Sequence, residues 1–98
     1  MRVQQVHHPL RPTQVSIKTI RARLSLRETQ VQFAQRFHVA PITVHKWESG
    51  KVLSLRPIYQ VLMNALEARL RAEGRWLSDD IFAAIYHKEL EIKGNALH

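Results

Sequence analysis

Histidines and carboxylates are the first residues in which to look for chemistry, and here they are poorly placed for it. His7 and His8 stand side by side, as metal ligands often do, but no further ligand lies near them. His87 is followed by Glu89 and Glu91, yet this stretch reads as a solvated helix. The chain has no cysteine, which excludes a thiolate nucleophile, a disulfide framework and a thiolate zinc site. No glycine-rich phosphate loop is present. These features point away from an enzyme, and neither a cofactor nor a metal is expected.

The basic residues are better organised. From Met1 to Arg56 there are ten Lys or Arg and two acids, Glu28 and Glu48, a net charge of +8. From Pro57 to His98 there are five bases and six acids, a net charge of −1. Essentially all the positive charge of the chain therefore lies in its first 56 residues. A basic half beside a neutral half predicts one face that meets a polyanion and another that does something else.

The elements that must carry these charges read as helices. With 98 residues and 45% hydrophobic content, the chain suits one small packed domain. It has no apolar run near the roughly 18 residues that cross a bilayer and no hydrophobic signal core at its start. The expectation is a cytoplasmic protein with no membrane partner. Residues 1–15, with Pro9, Pro12, Arg2 and Arg11, show no periodicity and are expected to form a flexible basic arm or an end without a role.

A first helix is expected to open after Ser16, with Ile17, Ile20 and Leu24 facing the core and Arg21 and Arg23 beside or opposite that face. Ser25 to Glu28 fits a capping box, and Thr29 is an alternative cap for the second helix. Phe33 and Phe37 then face inward together. Pro41 disfavours helical geometry at Ala40 and suits the first turn of a third helix, which runs to Glu48 before Gly50 stops it. Val44 and Trp47 lie on its inner side.

Pro57 opens a fourth helix whose expected core face is Ile58, Val61, Leu62, Ala65, Leu66 and Leu70, ended by Gly74. Ser78, Asp79 and Asp80 start a fifth, with Ile81, Phe82 and Ile85 on its apolar side. A short strand from Glu89 to Lys93 is the alternative for its far end. The domain thus spans residues 16–74, and residues 75–98, including Trp76, either complete its core or pair two copies.

Thr29-Gln30, Phe33-Ala34, Val39, Thr43-Val44 and Trp47-Glu48-Ser49-Gly50 stand together in a register that resembles the phage repressor and Cro family of helix-turn-helix proteins. The dense match covers Thr29 to Gly50. The resemblance implies an all-α, five-helix repressor-like domain in which Phe33, Ala34, Phe37, Val39, Val44 and Trp47 fix the angle of the third helix. It implies base-reading positions at Pro41, Ile42 and Lys46, with His45 alongside, and a phosphate contact from Gln30; Thr43, Ser49, Lys51, Arg27 and Arg56 are further phosphate candidates by charge and position. It also implies a structural ion pair between an Arg of the first helix and Glu48. Arg21 is expected to take that role, in the register that also puts Ile17, Ile20 and Leu24 in the core, with the junction between the first two helices two residues longer than usual; without that insertion Arg23 would take it.

The sequence departs from the family where Ala40, Pro41 and Ile42 replace the usual polar front of the reading helix, and where His38 replaces a turn glycine. The first departure reduces hydrogen-bonding readout; the second carries a modest penalty if the position has positive φ. The function expected is that of a double-stranded DNA-binding regulator, a repressor acting by promoter occupancy as a homodimer. The alternatives are an antitoxin that binds a toxin protein and an architectural or replication accessory protein of low specificity.

Overall fold

The computed structural model describes residues 13–96, and side chains over residues 13–88. Five helices occur among the described residues, with no strand: α1 Gln14–Ser25, α2 Gln30–Phe37, α3 Pro41–Glu48, α4 Pro57–Ala72 and α5 Asp79–Ala96. The far end of α5 is helical, not a strand, and it continues through Gly94 and Asn95 to Ala96. No helix of the described residues is long and apolar enough to cross a membrane.

The first helix begins earlier than the sequence suggests. Thr13 is its cap, accepting a hydrogen bond from the Ser16 amide at 3.0 Å while its own amide donates to Ser16 Oγ at 2.8 Å. Ser16 is therefore the third residue of the helix rather than its cap. Residues 13–15, assigned to the arm from sequence, belong to α1 and its cap; the rest of that arm, with Arg2, His7, His8 and Arg11, lies outside the described residues.

The new start accompanies a different inner face. Ile17 is 37% exposed, whereas Ser16, Thr19, Ile20, Ala22 and Arg23 are buried. Small polar residues can line this face because their hydroxyls are satisfied locally: Thr19 Oγ1 donates to the Val15 carbonyl at 2.6 Å.

Arg27, in left-handed geometry (φ 58°), ends α1. The Glu28 amide donates back to the Arg23 carbonyl and the Arg27 amide to that of Leu24, at 3.1 and 3.0 Å. Ser25 thus closes α1 and does not cap α2. Thr29 caps α2 by reciprocal hydrogen bonds with Gln32, at 2.9 and 3.1 Å. The same closing arrangement ends α2, with His38 left-handed at φ 56° and the Val39 amide donating to the Ala34 carbonyl at 3.0 Å. Three residues, 38–40, then lead to Pro41 at the start of α3.

The core is assembled where these helices meet. Phe33, Ala34 and Val44 are fully buried, Phe37 and Trp47 nearly so, and Val39 packs against them half-buried. The Phe37 and Trp47 rings meet edge to face at 5.6 Å, and Trp47 passes the contact on to Tyr59 of α4 at 5.4 Å.

Helix α4 buries Leu66 and Leu70 of its expected core face together with Met63, while Ile58 and Val61 are 59% and 63% exposed and Leu62 and Ala65 are also exposed. The helix carries apolar residues on two faces, and a periodicity summed over both points between them. Lys18 of α1 reaches Asn64 and Glu67 on α4. Burial raises the Glu67 carboxyl, but hydrogen bonds from Arg71 and Lys18 outweigh it and hold the group below the usual carboxylate value.

Candidate nucleic-acid interface

The sequence places its charged candidates on and around α3, and what holds α3 is a buried carboxylate at its last residue. Glu48 receives a two-pronged contact from Arg23, whose Nε donates to Oε2 at 2.6 Å and whose Nη2 donates to Oε1 at 3.0 Å. Both side chains are less than a tenth exposed. Arg23 Nη1 also donates to the Glu28 carbonyl at 3.0 Å, and Gln30 Nε2 donates to Glu48 Oε1 at 3.0 Å. One carboxylate thereby ties α1, the following turn, α2 and α3 together.

This corrects the expected Arg21–Glu48 pair. The face of α1 that buries Thr19 and Ala22 also carries Arg23 inward. Arg21 points elsewhere. Its guanidinium donates to the Leu77 carbonyl, pairs with Asp79 at 2.9 Å, and lies over the rings of Trp76 and Phe82 at 5.3 and 5.6 Å. The Ser25 hydroxyl, near the end of α1, accepts from the Leu77 amide at 3.1 Å. Arg21 therefore fastens the segment leading into α5. The sequence signal for this role is the aromatic pair Trp76 and Phe82 flanking Asp79, which a motif reading centred on residues 29–50 passes over.

With Glu48 fixed, the outer side of α3 is defined. Pro41, Ile42, His45 and Lys46 are all exposed, and Thr43 is half-buried. Ser49 Oγ donates to the Lys46 carbonyl at 2.8 Å and accepts from the Lys51 amide at 3.3 Å, so its hydroxyl is engaged in closing the helix. Gln30 is half-buried, with its amide nitrogen committed to Glu48. Arg27, Lys51 and Arg56 are exposed. The structure brings Pro41, Ile42, His45 and Lys46 onto one helix and leaves Arg27 in the turn between α1 and α2.

The electrostatics of this half are one-sided. Its two acids are both engaged internally, Glu48 with Arg23 and Glu28 with Arg36. The Arg36 guanidinium is held above its ordinary pKa by its hydrogen bond to Glu28. Among the described residues, no salt bridge involves Arg27, Lys46, Lys51 or Arg56. Those cations stand with no carboxylate competing for them, which suits a phosphate backbone.

Among the described residues no cluster of three or more His, Asp or Glu could hold a metal ion. His87 is exposed; the side chains of Glu89 and Glu91 lie outside those described. An open groove of about 260 Å³ lies elsewhere, between α2 and α4, floored by Phe37, Leu62, Ala65 and Leu66 and flanked by Arg36 and Arg69. The chain matches no protein-family model, no curated protein and no solved structure.

Proposed function

We propose that this protein binds double-stranded DNA through a helix-turn-helix formed by α2 and α3, and that it regulates transcription by occupying promoter DNA. The observation that carries this reading is that both acids of the basic half are paired with arginines of the same half, which leaves Lys46, Lys51, Arg27 and Arg56, among the described residues, exposed and without a salt bridge. The lock on Glu48 supports it further, because base reading requires a helix held at a fixed angle. Repression by occupancy needs no chemistry beyond binding.

The outward apolar face of α4 supports pairing of two copies, as two-fold operators require. The groove beside it has arginines on both sides, which suits an acidic partner. A basic toxin at that place is thereby disfavoured.

Fluorescence anisotropy with a labelled duplex, repeated over a range of salt, tests the DNA-binding reading. Affinity is expected to fall steeply as salt rises. Lys51→Ala is expected to weaken all sequences alike and to reduce the slope of log K against log salt by about one. Absence of binding at low salt, or a slope unchanged by the substitution, counts against the reading or against Lys51 respectively.

A further inference from the structure

We propose that the front of α3 selects duplexes by the C5-methyl group of thymine, with Ile42 as the residue that contacts it; the inference rests on the DNA-binding reading above. Apart from the half-buried Thr43, the first turn of α3 offers no side-chain group to hydrogen-bond a base edge. Its cap, Ala40, has no side-chain hydrogen bond, Pro41 has no amide hydrogen, and Ile42 is 55% exposed. Yet this apolar front continues into exposed His45 and Lys46 on the same helix, within a half of the molecule whose acids are both internally paired.

The surface therefore asks for a ligand that is anionic as a whole but apolar at one spot. The major groove of DNA meets both conditions, because thymine is the unmodified base that places a methyl group there. Lys46 lies one helical turn beyond Ile42, an advance of roughly 6 Å. That separation corresponds to about two base steps of about 3.4 Å. A Lys at that distance donates to O6 and N7 of a guanine. The expected recognition element is thus a thymine with a guanine about two steps away. A lone exposed Ile often has no role at all, and removing the thymine methyl groups from a bound duplex separates the two cases.

Duplexes are selected by the full-length protein from a random-sequence pool, and the recovered duplex is resynthesised with deoxyuridine in place of thymidine, which removes only the methyl groups. Wild type is expected to bind the uracil duplex about fourfold more weakly for each methyl contacted, the equivalent of burying one carbon. Ile42→Ala, which alters an exposed position and should leave the circular dichroism unchanged, is expected to bind both duplexes alike. The proposal is overturned if wild type binds the two duplexes equally, if the variant still discriminates, or if the recovered motif lacks thymine. Equal binding leaves the DNA-binding reading intact, whereas no binding to any duplex at low salt overturns both.

Discussion

Glu48 concentrates the stability of the domain in one side chain. Its carboxylate is 5% exposed and its partner Arg23 is 9% exposed, so neither charge has bulk water to fall back on. Removing one partner of a buried pair typically costs about 3–5 kcal/mol, much of it from stranding the other charge. Glu48→Ala should therefore lower the melting temperature far more than Glu73→Ala, whose side chain is 43% exposed and whose pairs are worth about 1 kcal/mol or less. Thermal unfolding followed by circular dichroism measures both; equal shifts would refute the role given to Glu48. Glu67 is not a neutral comparison, because it joins α1 to α4 through Lys18. The sequence reading narrows the partner of Glu48 to Arg21 or Arg23 and favours Arg21, whereas the structure pairs Glu48 with Arg23. The choice depends on which side of α1 is buried, and that side is lined by Ser16, Thr19 and Ala22, residues that hydrophobic periodicity does not count as core.

Among the elements, α2 and α3 are the most legible. A cap at Thr29, a proline at position 41 and inward aromatics one turn apart are local signals, and local physics sets both ends. The end of α1 is not legible, because its left-handed position is filled by Arg27, where glycine would have announced it. At the end of α4, Gly74 occupies the corresponding position at φ 71° and does announce it. The inner face of α4 is legible only in part, at Leu66 and Leu70 but not at Met63, for a different reason: two apolar faces on one helix leave periodicity unable to say which meets the core. Helix α5 is fastened through Arg21, which joins Leu77, Asp79, Trp76 and Phe82. Arg21→Ala should let α5 detach while α2 and α3 keep their packing. Hydrogen exchange should then speed up about tenfold in the first turns of α5, the scale expected for losing two cation–aromatic contacts and an ion pair. Uniform acceleration across all helices would instead make Arg21 a general core residue.

At the scale of the whole molecule, Lys46, Lys51 and Arg56 are exposed on and after α3, and Ile58, Val61 and Leu62 are exposed along α4. In the proposed pairing of two copies, covering this face of α4 would remove apolar surface from water and would set two α3 helices at a fixed spacing. Sedimentation at tens of micromolar protein should give twice the chain mass for wild type and the single-chain mass for Val61→Glu, with secondary structure unchanged. A wild-type monomer would leave the α4 face without this role. The two tryptophans fall on different joints of this plan. Trp47 is wedged between Phe37 and Tyr59, while Trp76 lies between the guanidinium groups of Arg21 and Arg71, its indole nitrogen buried and lacking a hydrogen-bond partner among the described residues. The two indoles have different surroundings, so the fluorescence of variants keeping one tryptophan each would read them separately. Trp47 would report on the packing around α3, and Trp76 on the contact that fastens the segment leading into α5.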